Sequence, residues 1–309
     1  VPKERTHWHL ARRAAQAAVP GPLADALLAY PELLYLGAVS HDTGYYARKD
    51  PLAQAAADRV HGLGGSDSFD PFRSLAAHRD TLGAPGLAFG FGALTHLAAD
   101  AVFHPLVFSW TGDVQAPDPG LRRGWLYRHQ ACETALDVHL EALWGRAPAR
   151  YHRALVRRCG TELGACTEAF LGPGSRPWIA AHSRLQGLFH RGWARQLALW
   201  TSWTRRGGDG DWSAAFYHLV SRPQPAFEGS LVWVDPVTGD PGRATLAHLV
   251  GRYDALVLEL GTEWERAWSE GTVFFGGGVG PALDTGVRCD LPQTKTWFAP
   301  SPVYAPGLG

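Results

Sequence analysis

LAFGFGALTHLAADAVFHPLVF, residues 87–108, is apolar except for Thr95, His96, Asp100 and His104. Its length suits a membrane span. An Asp at mid-depth and Pro105 near the end argue against lipid contact, because a carboxylate in hydrocarbon is costly and the proline is expected to interrupt the helix. The stretch is therefore read as a helix buried inside a folded protein, with no transmembrane segment. His96, Asp100 and His104 are spaced i, i+4, i+8, so at about 3.6 residues per turn they line one stripe, with about 6 Å of rise between neighbours. An imidazole or carboxylate inside an oily helix needs a partner, and a divalent metal shared between such groups supplies one.

Downstream, RHQACE at 128–133 places His129 and Glu133 at the same i, i+4 spacing, with Asp137 one turn further on the stripe as a candidate orienting carboxylate. Two helices presenting nitrogen and oxygen ligands inward is how helical bundles build multi-metal centres. The mixed His/carboxylate set without thiolate suits zinc, with iron or manganese as competitors, and disfavours a closed structural zinc site.

The remaining text is helical in pattern up to about residue 220. Helices are expected over 6–18, 23–30, 31–39, 53–60, 87–104, 126–143, 149–170, 182–204 and 211–219, punctuated by Gly and Pro, with a linker at 206–211. Residues 222–242 change to a Leu-Val-Trp-Val alternation expected as an ordered loop or small hairpin, 244–269 resumes helical spacing, and the last 40 residues are Gly/Pro-rich. The expectation is an all-α fold in one domain, 1–309: a metal-binding helical body over 1–220 and a loop-rich extension, 221–309, whose one long helix packs on the body.

Composition agrees with a folded chain: 46% hydrophobic and 19% charged residues. Lys plus Arg equals Asp plus Glu at 29 each, so long nucleic acid is not an expected partner. Cys132, Cys159, Cys166 and Cys289 are scattered without a C-x-x-C, which argues against a disulfide scaffold while leaving a single bond open. With no Met anywhere, the first residue is read as a processed or edited end, and the compartment is left open. There is no G-x-S-x-G elbow and no H-E-x-x-H, so a metal-activated water is the economical nucleophile.

The amino-terminal half holds further donors: His7 and His9 in THWHLA, the His41-Asp42 pair, and His61. His7 and His9 face different directions on a helix, so one of them is expected to serve. Asp42 ends an apolar run, a place from which a side chain enters a cavity. His78, in a charged segment, is expected at the surface, and His139, His152, His182, His190, His218 and His248 are assigned ordinary structural or surface roles.

In order, THWHLA (6–11), LYLGAVSHD (34–42), His61, THLAADAVFHP (95–105) and RHQACE (128–133) resemble the zinc-dependent phospholipase C family. That superfamily includes the catalytic domain of glycosylphosphatidylinositol-specific phospholipase D and the single-strand nucleases. The His-x-x-x-Asp-x-x-x-His form is similar to the phospholipase D-like branch. The resemblance implies an all-helical fold with two or three zinc ions. Asp42, His61, His96 and Asp100 would hold the first, with Asp100 bridging. His104, His129 and Glu133 would hold the second, and His7 the third, with His9 as its substitute. Secreted members complete the third site with an N-terminal Trp. Here the first Trp is Trp8, inside the motif, so water or His41 would complete it, or His41 would orient Asp42.

The implied reaction is hydrolysis of a lipid or small-molecule phosphate ester or phosphodiester, with Asp42 assisting deprotonation of the water. Tyr45, Tyr46, Phe69 and Phe72 are candidate pocket walls for a cationic head group or a base. Three alternatives share parts of this pattern. An HD-type phosphohydrolase would use His7 or His9, His41-Asp42 and Asp100, leaving His104, His129 and Glu133 unexplained. A nuclease of the same superfamily would share the whole site, and a metal-stabilised binding protein would share it without turnover.

Overall fold

The structure is a computed structural model and describes residues 3–194, 196–197, 200, 216 and 223–299. Its axis is α7, Arg79–Thr111, which contains the quoted stretch. Helices α1 (Glu4–Ala17), α2 (Pro22–Ala29), α3 (Pro31–Gly37), α8 (Pro119–Trp144), α10 (Glu162–Leu171) and α12 (Leu246–Glu270) all pack on it. A helix apolar all round is stable in water only when enclosed in this way. It is the one described helix long and apolar enough to cross a membrane, and its apolar window is wholly buried in the protein.

Pro105 does not end the helix as expected. Residues 101–111 continue through it. A proline inside a helix frees the carbonyl four residues before it, here that of Ala101. Gly286 of the tail lies against that carbonyl so closely that a Cβ on Gly286 would sit 2.5 Å from the oxygen. Pro85, by contrast, follows a kink at Gly83 and stands in the first true turn, where a missing N–H costs nothing.

Helix α3 crosses α7 at two glycines. A Cβ on Gly37 would meet the Phe89 carbonyl at 2.1 Å, and one on Gly92 would meet that of Leu34 at 2.0 Å. This backbone-to-backbone approach brings the turn after α3, which carries His41 and Asp42, onto the His96 segment. Short helices α4 (Thr43–Tyr46), α5 (Pro51–Val60) and α6 (Asp70–Ala77) follow, with His61 as the C-cap of α5. Asp50 caps the start of α5, accepting from the amides of Leu52 and Ala53, and Pro51 begins it.

The segment expected as one helix over 149–170 is two, α9 (His152–Val156) and α10, separated where Gly160 takes φ +46°. The helix expected over 182–204 begins earlier, as α11 (Arg176–Leu188). The expected linker at 206–211 lies outside the described residues, as does the expected helix at 211–219 apart from Phe216. The alternation near 230 is a hairpin of β1 (Ser230–Val234) and β2 (Pro241–Thr245), antiparallel with Val232 opposite Arg243. It is the only sheet among the described residues, so the fold is mostly α. Trp110 at the end of α7 donates its indole N–H to the Val232 carbonyl at 2.9 Å. Helix α12 buries Tyr253, Leu260 and Trp264 against α7, and the Trp264 indole donates to the Leu87 carbonyl at 3.0 Å.

Candidate metal centre

Asp100 is the hub of the site. Its side chain has no exposure, neither oxygen has a hydrogen-bond partner, and four imidazole Nε2 atoms surround it: His96 at 3.1 Å, His7 at 3.5 Å, His104 at 3.6 Å and His61 at 3.9 Å. The i±4 spacing on α7 accounts for two of these. His7 arrives on α1 and His61 at the end of α5.

The outward faces of the rings are tied down by the fold. Nδ1 of His61 meets the Ala57 carbonyl at 2.7 Å, that of His96 the Ala38 carbonyl at 2.9 Å, and that of His104 the Leu283 carbonyl at 3.1 Å. A carbonyl can only accept, so each Nδ1 donates and each Nε2 is the ring atom turned inward, the one that ligates when the ring is neutral. This is the second-layer bonding by which metal-binding histidines are oriented. His129 has the Thr111 hydroxyl 3.3 Å from its Nδ1, and its Nε2 lies 2.8 Å from Glu133.

Three groups of side chains bring ligand atoms within 4.8 Å of one another: His7, His96 and Asp100; Asp42, His61 and His96; and His104, His129 and Glu133. Every one of the eight residues expected as ligands belongs to at least one group. The donor chemistry, imidazole nitrogen with carboxylate oxygen, fits zinc. The inward Nε2 atoms of His61, His96 and His104 and both Asp100 oxygens are buried without a hydrogen-bond partner, an arrangement that a divalent cation would satisfy.

Asp42 differs from Asp100 in exposure. Its side chain retains 11% accessibility where that of Asp100 has none, so it stands at the open side of the cluster. Burial works to raise its pKa, yet His96 and His61 hold its carboxyl below the usual range. Burial opposes charge on His61 too, but Asp42 and Asp100 raise it above the ordinary imidazole value. His104 and His129 are pushed well below theirs, chiefly by burial. Both are neutral near pH 7, the form that ligates.

The other sequence candidates fall elsewhere. His41 is fully buried and stacks on His96 at 4.4 Å, while His7 stacks on the opposite side at 3.9 Å, so the three rings form a pile with His96 in the middle. Both His41 nitrogens lack hydrogen-bond partners, but His41 belongs to none of the three groups, so the HD-type pairing of His41 with Asp42 is not among the ligand sets brought together in the described residues. His9 points to Arg12, 3.1 Å away, and to Trp144, and burial followed by Arg12 pulls it down to about 4. Asp137 takes the amides of Thr6 at 2.8 Å and Arg5 at 3.3 Å, anchoring the first turn of α1 at the two residues just before His7. Burial, the largest effect on it, pushes it up to about 6.

Tyr45 is half-buried beside His61, with ring centroids 5.2 Å apart, and its hydroxyl donates to Asp58. Tyr46 instead stacks on His182 and donates to Glu4. Phe69 and Phe72 are buried against Phe274, with Phe275 and Phe170 respectively, so they pack the core rather than wall an open pocket. All four cysteines are buried and unbonded, and His78 is exposed.

A sequence model of the family described as zinc dependent phospholipase C matches residues 6–162, which contain all eight ligand candidates. The chain belongs to the zinc-dependent phospholipase C family. At the level of that family it is a metal-dependent phosphodiester hydrolase, with zinc as the expected metal and a lipid phosphate ester as the suggested class of substrate. No curated protein and no solved structure matches the chain.

Sequence reasoning missed the groups that hold the ligands. The carbonyls of Ala38, Ala57 and Leu283 carry no side-chain signature. Only Thr111, a polar residue closing an apolar helix, offered a signal that could have been read.

Proposed function

We propose that this member of the family hydrolyses a phosphodiester of a lipid, using water, at a cluster of two or three zinc ions. The observation that carries this reading is the wholly buried Asp100 carboxylate facing four imidazole Nε2 atoms without a hydrogen bond of its own. Asp42, His61, His96 and Asp100 would hold one ion, His104, His129 and Glu133 a second. His7 would serve a third, sharing Asp100. When bound, zinc supplies Lewis acidity, neutralising charge on phosphoryl oxygens and acidifying water.

The chain's own residues do the rest. The carbonyls of Ala57, Ala38 and Leu283 take the Nδ1 protons of three imidazoles, so each ring is held with its Nε2 toward the cluster. Asp42, held ionised at the open side, is placed to accept the proton of the attacking water and keep it within the site. Tyr45 forms part of the wall beside it, and its hydroxyl, committed to Asp58, is a fixed surface rather than a proton donor. Buried aromatic rings under His41 and His104 exclude water from behind the cluster, which strengthens the electrostatics within.

The test compares initial rates of the zinc-loaded protein on phosphatidylcholine vesicles, single-stranded DNA and a small aryl phosphodiester, beside the Asp42→Asn variant. The expected result is fastest turnover of the lipid and a loss of about 100-fold or more in Asp42→Asn. Faster DNA cleavage would transfer the reading to the nucleases of the superfamily. No turnover of any of the three would overturn it.

A further inference from the structure

We propose that residues 280–295, outside the span matched by the family, form a hook that positions the ligands of the second metal site, with Lys295 as its lock. The inference rests on the reading of His104, His129 and Glu133 as zinc ligands.

The hook is a tight reversal. Pro281 and Arg288 bridge, the Ala282 amide donates to the Val287 carbonyl at 2.7 Å, the Gly286 amide to the Ala282 carbonyl at 2.8 Å, and the Cys289 amide to the Gly280 carbonyl at 2.9 Å. Its apex touches two ligands at once. The Leu283 amide donates to the backbone carbonyl of His61 at 2.9 Å, and the Leu283 carbonyl accepts from Nδ1 of His104 at 3.1 Å. One residue therefore fixes the place of a ligand in one group and the tautomer of a ligand in another. Gly286, at φ +69°, seats the reversal on the Ala101 carbonyl freed by Pro105, at a distance that excludes any side chain.

What keeps the hook closed is Lys295. Its ammonium lies 3.0 Å from Asp284, next to the apex, and 3.3 Å from Asp113 in the loop after α7. It also sits 4.6 Å from the centroid of Phe108, and that ring packs on both His104 and His129. The Lys295 side chain is only 5% exposed, so its charge is shared with those two carboxylates and the ring rather than with water. Removing the ammonium leaves two carboxylates facing each other and frees the apex. His104 can then turn, and its Nε2 no longer converges with His129 and Glu133.

The experiment uses the full chain loaded with zinc and titrated with a chelator, metal content being read by mass spectrometry and ligand geometry by the visible spectrum after cobalt substitution. Lys295→Met and Asp284→Asn are compared with Lys295→Arg, with His104→Ala as the reference for loss of this site. The expected result is that Lys295→Met and Asp284→Asn release the same fraction of zinc as His104→Ala does, at chelator levels about 10- to 100-fold lower than the parent requires. Their cobalt spectra change, and Lys295→Arg restores both readouts.

Zinc retention equal to the parent in both variants overturns the hook and leaves the proposed function standing. So does an even loss of all the zinc that Lys295→Arg fails to restore, accompanied by a fall in the melting temperature of the metal-free form. A parent chain that binds no zinc overturns both readings.

Discussion

Helix α1 contributes to two buried clusters of imidazole and carboxylate, and they behave differently. At its first turn, Glu4 accepts from the Tyr46 hydroxyl and faces Nε2 of His182 at 3.8 Å. His182 stacks between Tyr46 and His152 at 3.9 and 4.0 Å, the Thr43 hydroxyl meets its Nδ1 at 3.1 Å, and His152 bonds Ser183 at 2.7 Å. Burial works against the charge on Glu4, but His182 and Tyr46 hold its carboxyl far below the usual range. One turn along α1, His7 joins Asp100, where four nitrogens converge on a carboxylate that accepts no hydrogen bond from the protein. The first cluster is tied together by hydroxyls, leaving the Nε2 of His182, 3.8 Å from Glu4, without a hydrogen bond. The second leaves five such atoms, both Asp100 oxygens and the Nε2 atoms of His61, His96 and His104. Residue composition barely separates the two, whereas hydrogen-bond accounting does.

The largest effect should follow from removing the hub. Asp100→Ala is expected to lose at least half of the bound zinc and to cut hydrolysis by about 1,000-fold or more, since in the proposed assignment Asp100 would serve two of the ions. Metal analysis beside kinetics reads both. Full zinc retention in this variant would erase the distinction between the clusters. Glu4→Gln should act the other way round. Losing the carboxylate opposite His182 is expected to cost on the order of 3 kcal/mol of stability, read by urea denaturation of the metal-free protein, with zinc content unchanged. A change in zinc content there would mean that the clusters are coupled through α1.

The sequence made one side of this contrast legible and not the other. His96, Asp100 and His104 declare themselves because charge in an otherwise oily helix has to be explained, and His129 with Glu133 repeats the spacing on α8. Asp137 continues that stripe in sequence, yet one turn further along α8 the neighbour is the start of α1, so it caps a helix there. His152 and His182 show no ligand spacing, and their buried, stacked roles fit the structural part that the sequence assigns them. The helices around α7 were readable from their punctuation. The passage of α7 through Pro105 was not, because it depends on a tail glycine 181 positions away, beside the freed carbonyl of Ala101. Likewise, the 149–170 segment reads as continuous because Gly160 is only a weak break in sequence, whereas its positive φ divides the helix. Backbone carbonyls that orient histidines, including that of Leu283, have no representation in a residue string at all.

The most direct test is a crystal structure of the zinc-loaded protein with anomalous diffraction recorded on both sides of the zinc absorption edge. The account predicts two or three anomalous peaks, one of them between Asp100 and the Nε2 atoms around it, another within reach of His104, His129 and Glu133, and none at Glu4 and His182. Absence of a peak beside Asp100 in zinc-replete crystals, with its oxygens bonded instead to protonated imidazoles, would contradict it.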